Sequence, residues 1–547
     1  MSSQSTHDNA KTPQQQPQLP DNWDRCHAYN EKKRRYCRQM PAPNQIYCGN
    51  HLHLIEEGVC GSKRPSDDAE PSDDVKRNSK KRKDRGARIP CPIDPSHMIF
   101  ESALARHVLV CPAAKEREET CSREYYQEGT NTGGFGDLGD EGNDTNDAVS
   151  GDEATTDLDR AQQLAMAVLR VFCSLFPSAV ARSSNQKDNP NNDDLSDGVL
   201  VNVTEEDIYN ALPEIDLSSA EEGIAKDIAK HRVKAGGSRH LHQLQSILGH
   251  VRKNGLIPAA DDDSDYSVVE MGAGRGMLGL VTASAMGAAQ AQNAASSKVK
   301  LYLVERSGTR GKAETKIRTA SGDASQGNDS LRLDRVEVSR IKCDLAHVHM
   351  STALPFLAKE AGKRRSIVVA KHLCGSGTDL ALKSLRDVAR SVDGCVMATC
   401  CHGLCTWKDY VGRDCFLGLF RGIGDLSAFT GSDFDQLKRW TSASVLEDSD
   451  HKRGSAAVDD EDEHNVVVKS QNIYLVVNDL GLACGGRGLG RACQRLIDYG
   501  RTEYIRKHLF RTKATSCAEK DFITSSLCHY CSSDITPQNA LIIAKRC

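Results

Sequence analysis

The stretch VVEMGAGRGMLGL, Val268–Leu280, constrains the fold more than any other part of the chain. Two β-branched residues lead into an acid. Glycines follow at Gly272, Gly274 and Gly276, and the sequence then turns helical. That pattern predicts a buried strand, a tight turn and a helix start. Glycine takes backbone angles that a Cβ forbids and lets the main chain approach a ligand closely. Two cofactor classes fit. Gly274-x-Gly276-x-x-Gly279 satisfies the dinucleotide fingerprint, in which helix N-terminal N–H groups hold a pyrophosphate. The alternative is an acid-x-Gly-x-Gly-x-Gly loop for a cofactor with a cationic amino group, which the Glu270 carboxylate at the strand end could face.

An α/β rhythm continues from there. VKLYLVERSG predicts a second strand with Glu305 at its end, where an acid takes the ribose hydroxyls of either cofactor. VEVSRIKCDLAHV predicts a third, ending at Cys343 and Asp344, with Asp344 set to meet an adenine amino group. RSIVVAKHLCGSGTDLAL, DGCVMATCCHGLCTW and ALIIAK supply further strands. The strand ends share one rim of a parallel sheet, the usual place for a site in an open α/β fold. A helix with Arg239, His240, His242, His250, Arg252 and Lys253 on its polar face precedes the glycine stretch.

The 21 cysteines bear on what precedes this domain. Cys26-x10-Cys37-x10-Cys48-x2-His51 and Cys91-x5-His97-x9-His107-x3-Cys111 each offer four ligands suited to tetrahedral zinc, which favours metal over a disulfide framework. Basic side chains from Arg25 to Arg38 alternate with Tyr29, Tyr36 and Tyr47, as in nucleic-acid surfaces. The run KRNSKKRKDRGAR packs eight Lys and Arg residues with one Asp and reads as a nuclear-import signal or a nucleic-acid tether. The net charge of −4 over 547 residues says little by itself; the segregation of basic and acidic blocks says more. There is no apolar run of membrane-spanning length, so no membrane partner is expected. The expected organisation is disorder over 1–21, a zinc module over 22–56, a basic linker over 57–88, a second finger over 89–115, a disordered acidic linker over 129–157, and an α/β domain over 158–547 with a helical start and disordered inserts.

Taken together and in order, the Cys-Cys-Cys-His knuckle, the Cys-His-His-Cys finger, RHLHQLQSILG, VVEMGAGRG, VAKHLCGSGTDLAL, CCHGLCTWKDYVG and RLIDYGR resemble the eukaryotic tRNA 2′-O-methyltransferases that modify position four of the acceptor stem. The resemblance implies a Rossmann-like methyltransferase domain using S-adenosylmethionine, two RNA-binding zinc modules and a tRNA substrate; the alternative is a zinc-finger RNA-binding scaffold whose methyltransferase-like domain is inactive. The basic run points to residence in the nucleus and/or cytoplasm. The chain departs from the family in one motif, where Gly403 and Leu404 replace a His and an Arg.

Ribose methylation is an in-line displacement at a methyl group. It needs alignment and help for a poorly acidic hydroxyl. Lys371 and His372, at the end of the fourth strand, are the foremost catalytic candidates. His402 is the second candidate, for base or for phosphate contact. Cofactor contacts fall to Glu270, Gly272, Gly274, Gly276, Glu305 and Asp344. Cys400, Cys401, His402 and Cys405 form either a metal site or packed thiols.

Overall fold

The computed structural model describes residues 29–30, 35–36, 87–133 except 96, 154–181, 196–230, 237–257, 265–290, 298–307, 312–320, 331–357 except 356, 364–445 except 425 and 427, 473–509 and 523–546. Cys26, Cys37, Cys48 and His51 lie outside these residues. So do the stretch expected to be disordered at 1–21 and most of the basic run.

The chain divides into two compact units. One comprises Met1–Ile89 and Met98–Ala103, the other Pro90–His97 and Leu104–Cys547. In the first, β1 (Tyr29–Asn30) pairs antiparallel with β2 (Arg35–Tyr36), and β3 (Arg88–Pro90) with β4 (Met98–Phe100) forms a second two-stranded sheet. The Arg88 guanidinium lies 5.2 Å from the centre of the Phe100 ring.

The second unit opens with α1 (Leu104–Val110) and α2 (Pro112–Cys121). Pro112 stands in the first turn of α2, where its missing N–H has no intrahelical partner to lose. Residues 129–133, expected within the disordered linker, are tied down. The buried Asn131 side chain donates to the carbonyls of Leu345 and Val348 at 2.7 and 2.8 Å. Helix α3 (Ala154–Leu175) and helix α4 (Ser238–Lys253) come next. The α/β succession then runs β5 (Asp265–Met271), α5 (Met277–Ala289), β6 (Val299–Glu305), β7 (Val336–Lys342), β8 (Arg364–Cys374), α6 (Ser376–Ser384), β9 (Val392–Cys400), α7 (Gly485–Tyr504), β10 (Ile523–His529) and β11 (Ala540–Arg546).

Seven strands form one mostly parallel sheet in the order β10-β11-β9-β8-β5-β6-β7. The run from β9 to β7 is parallel; β11 enters antiparallel between β9 and β10. Side chains alternate across the sheet into two cores, as the two-residue strand period requires. Val268, Ile367, Val369 and Val396 enter one; Val269, Val368, Ala370 and Met397 enter the other. A third cluster joins α3 to α7 through Leu164, Val168, Phe172, Leu489, Ala492 and Leu496.

The polar-face reading of α4 is corrected at His250. That helix packs between residues 219–230 and α5, and Gln243 through Val251 are buried. His250 bonds the Ile215 carbonyl at 2.9 Å, and burial lowers its pKa. Hydrogen bonding to a carbonyl makes a buried imidazole tolerable where periodicity alone assigned it to water.

Chain order reverses at β5, which has β6 on one side and β8 on the other. In open α/β sheets the crevice at such a switch point, beyond the carboxyl ends of the strands, is where ligands bind. The glycine turn after β5 and the Lys371 end of β8 both stand there.

Candidate active site and metal centre

The three glycines of the turn all take positive φ: +61° at Gly272, +49° at Gly274 and +69° at Gly276. They do different work. A Cβ at Gly272 would lie 2.3 Å from Leu373 Cδ2, and one at Gly276 would lie 2.6 Å from Leu303 Cδ1. Those two are required by packing. A Cβ at Gly274 meets nothing within 4 Å, so Gly274 alone faces open space.

Charged groups pin the turn from below and beside it. The Gly274 N–H donates to Glu305 Oε2 at 2.8 Å, and Arg340 Nη1 donates to the Gly274 carbonyl at 3.0 Å while its guanidinium also pairs with Glu314. Burial works against the Glu305 charge, but hydrogen bonds from Ser307 and Gly274, with Arg340 nearby, outweigh it and hold the carboxyl below its ordinary range. Its oxygens already take three bonds, leaving limited lone-pair capacity for a ribose. Asp344 is half-buried; its Oδ1 accepts the Ala346 N–H at 3.0 Å and its Oδ2 lies 4.0 Å from Arg306. Glu270 is enclosed. Its Oε2 accepts the Gly279 N–H of α5 at 2.8 Å, so the carboxyl anchors a helix N-terminus. Burial pushes its pKa up to about 8, against the pull of the Gly279 bond and of Arg340.

At the end of β8 the strand bulges. Lys371 pairs with Ala398 and Leu373 with Thr399, leaving His372 as the extra residue, at φ +66°. A histidine in that left-handed region is uncommon, and such strain clusters at functional sites. Lys371 Nζ lies 3.4 Å from Nδ1 of His240 on α4, and the His240 and His372 rings meet edge to face at 5.9 Å. Burial lowers the Lys371 pKa to about 8, opposed by Cys531 and Glu270. Although the His372 ring reaches the surface, desolvation by its surroundings, together with Lys371 and His240, holds its pKa down to about 4. His240, first read only as part of a polar helix face, joins the cluster because α4 passes the end of β8.

His402 belongs to a different setting. It is buried, with Nε2 2.9 Å from Asp498 Oδ1, and its Nδ1 has no hydrogen-bond partner among the described residues. Asp498 also accepts from Thr399 and from Arg501. Arg501 reaches Asp379 through Nε and Nη2 at 3.2 and 2.6 Å, the Gly375 carbonyl at 3.2 Å and the Cys405 sulfur at 3.1 Å. Burial disfavours the Asp498 charge, yet His402, Arg501 and Arg495 hold its pKa down at about 2. The RLIDYGR stretch supplies Arg495, Asp498 and Arg501. Their roles could not be read from spacing, because Asp379 stands more than a hundred residues away.

The second finger brings its ligands together. Cys91 Sγ and Cys111 Sγ are 3.8 Å apart, His97 Nε2 and His107 Nε2 3.0 Å, His107 Nε2 and Cys91 Sγ 3.2 Å, and Cys111 Sγ and His97 Nε2 3.9 Å. A tetrahedral zinc with Zn–S about 2.3 Å and Zn–N about 2.0–2.1 Å has S–S edges of about 3.8 Å and N–N edges of about 3.4 Å. The donor set fits zinc. Asp94 lies 3.5 Å from His97 Nδ1 and orients the ring with Nε2 toward the metal position. Among the described residues no cysteine forms a disulfide, and no helix is long and apolar enough to cross a membrane.

Comparison with known proteins adds what geometry does not. A CCCH zinc finger family model matches residues 24–52, a U11-48K-like CHHC zinc finger model matches residues 88–112, and a model described as Methyltransferase TRM13 matches residues 242–545. The human protein named tRNA:m(4)X modification enzyme TRM13 homolog is 24% identical, over 89% of this chain and 90% of its own length. The Saccharomyces cerevisiae tRNA:m(4)X modification enzyme TRM13 is 21% identical, over 95% of this chain and 96% of its own. With more than half of the sequence covered by the methyltransferase model and both zinc modules in place ahead of it, the chain belongs to the TRM13 family of tRNA methyltransferases.

Proposed function

We propose that the chain transfers a methyl group from S-adenosylmethionine to the ribose 2′-hydroxyl of nucleotide four in the tRNA acceptor stem, on a Rossmann-like methyltransferase domain. The observation that carries the reading is the placement of Lys371. It stands with His372 and His240 at the end of β8, the strand next to β5, whose glycine turn leaves open space at Gly274.

When bound, S-adenosylmethionine supplies an electrophilic methyl group. Gly274 leaves room for it, and Gly272 and Gly276 keep the turn in shape. Glu305 and Arg340 fix the Gly274 peptide from both sides. Glu305 and Asp344 are the acids that would hold the nucleoside part, while Glu270 supports the turn through α5. Lys371, with a pKa near 8, is partly neutral at physiological pH. It either takes the hydroxyl proton or, protonated, steadies the developing alkoxide. His402, held by Asp498, braces the neighbouring loop.

The two zinc modules and the basic run serve tRNA binding through phosphate contacts and stacking. Cys26, Cys37, Cys48 and His51 are the ligand set of the first, and Cys91, His97, His107 and Cys111 that of the second. The basic run suits nuclear import, giving residence in the nucleus and/or cytoplasm. Incubating the purified chain with labelled S-adenosylmethionine and tRNA, then mapping the product by mass spectrometry, tests the proposal. A methylated ribose at nucleotide four is the expected product. Methylation on a base, or no transfer, overturns it.

A further inference from the structure

The ends of β8 and β9 carry a second thiol cluster that the sequence grouped differently. Cys374 and Cys400 are register partners on these parallel strands, with sulfurs 3.9 Å apart. Cys401 brings its sulfur within 4.8 Å of both. The adjacent cysteines 400 and 401 converge on one point because Cys401 takes φ +50°, which turns the chain back. The Cys401 N–H is held by Gln538 Oε1 at 3.2 Å. His402 and Cys405, which the sequence placed in the same set, are occupied elsewhere by Asp498 and Arg501.

The cradle is braced. A Cβ at Gly375 would come within 2.5 Å of the Leu404 carbonyl, so the loop after β8 and the loop after β9 touch along their backbones. Ser376 and Thr406 then tie the two loops, with the Thr406 N–H donating to Ser376 Oγ at 3.0 Å and the two hydroxyls 3.1 Å apart. The 3.9 Å between the Cys374 and Cys400 sulfurs matches the S–S edge of a tetrahedral zinc–thiolate centre, about 3.8 Å for Zn–S bonds of about 2.3 Å, and the Cys401 sulfur lies within 4.8 Å of both. A disulfide uses two sulfurs and leaves the third without a purpose.

We propose that Cys374, Cys400 and Cys401 bind a third zinc ion through three thiolates, with the fourth position open to water. Cys400 is buried and Cys374 is exposed, so the open position lies on the Cys374 side. Three protein ligands and one exchangeable oxygen is the arrangement of zinc sites that keep an open position. The ion stands three residues along β8 from Lys371, on the same rim.

Elemental analysis of the full chain, purified under reducing conditions, tests this without reference to methyl transfer. Cys374→Ser should hold one zinc ion fewer than wild type, and Cys401→Ser should match it. Cys121→Ser, which removes an exposed thiol outside both clusters, should keep the wild-type number. In the wild-type chain, iodoacetamide should alkylate Cys374 slowly, and adding a chelator should raise that rate several-fold; this readout stands even where a variant fails to fold. Equal zinc content in wild type and Cys374→Ser, or equal alkylation with and without chelator, overturns the proposal. So does a Cys374–Cys400 disulfide recovered from the native chain.

Discussion

The ends of β8 and β9 support two polar clusters of opposite character. Around Arg501, every charge is buried and matched: Asp379 and Asp498 flank the guanidinium, and His402 completes the set. Around Lys371 the groups are few and half-exposed; Glu270 acts on the lysine, but among the described residues no carboxylate forms an ion pair with it. Matching drives Asp498 down to about 2 and keeps it charged at every working pH. The lack of matching lets burial pull Lys371 down to about 8, where it can change protonation during a reaction. The first arrangement holds two loops together. The second leaves a cation with its charge adjustable, as a proton-transfer group requires.

The largest effect should come from breaking the matched cluster. Arg501→Ala leaves Asp379 buried without its guanidinium and Asp498 with one partner fewer. Removing one member of a buried ion set costs about 3–5 kcal/mol. Urea unfolding should show a lower midpoint with little change in slope. An unchanged midpoint would mean that the network is not structural.

Lys371→Ala should reverse that pattern. Stability should stay within about 1 kcal/mol of wild type, while single-turnover methyl transfer falls about 10²–10⁴-fold if the lysine is the general base. The pH profile gives the sign. Only the neutral amine accepts a proton, so the wild-type rate should climb about tenfold per pH unit below about 8 and level off above it. If the protonated lysine steadies charge instead, the rate falls above about 8. Full activity in the variant would remove Lys371 from the reaction.

A smaller contrast lies within the glycine turn. Gly272→Ala presses a methyl group on Leu373 in a left-handed backbone and should cost about 1–3 kcal/mol of stability. Gly274→Ala has the space and bears only the backbone strain, about 1–2 kcal/mol. Its larger consequence should be weaker S-adenosylmethionine binding by calorimetry, with zinc content unchanged. Equal cofactor affinity in both variants would deny that Gly274 faces the ligand.

These contrasts mark how far the sequence was legible. Strand, glycine turn and helix were readable because local period and glycine placement encode them, and both zinc modules because ligand spacing is local. The seven-residue strand β10, ITSSLCH, escaped notice; its Ser and Thr residues give no apolar alternation, and an edge strand needs little. The Asp379–Arg501–Asp498 set also escaped, because Asp379 stands more than a hundred positions before the other two, and only the fold brings the two helices together. His250 misled for a related reason: helical period marks one polar face, but α4 is covered on more than one side. The thiol cluster was half legible, since Cys400 and Cys401 announce themselves and Cys374 joins them only through register.

The smallest prediction tests whether the strain at His372 serves the rim. Its φ of +66° is a conformation that costs an ordinary residue about 1–2 kcal/mol. His372→Ala keeps that strain and loses the ring. His372→Gly loses both, but gains freedom in the unfolded chain worth about 0.4–1 kcal/mol against folding. The difference leaves the Gly variant more stable than the Ala variant by roughly 0–1.6 kcal/mol. Activity then separates two roles for the residue. If the ring beside His240 and Lys371 assists transfer, both variants should lose single-turnover rate alike. If the bulge matters only because it aims Lys371, Ala should keep the rate, because its backbone is unchanged, and Gly should lower it by loosening the strand end. Wild-type rates in both variants would show that the strain at this position has no part in the reaction.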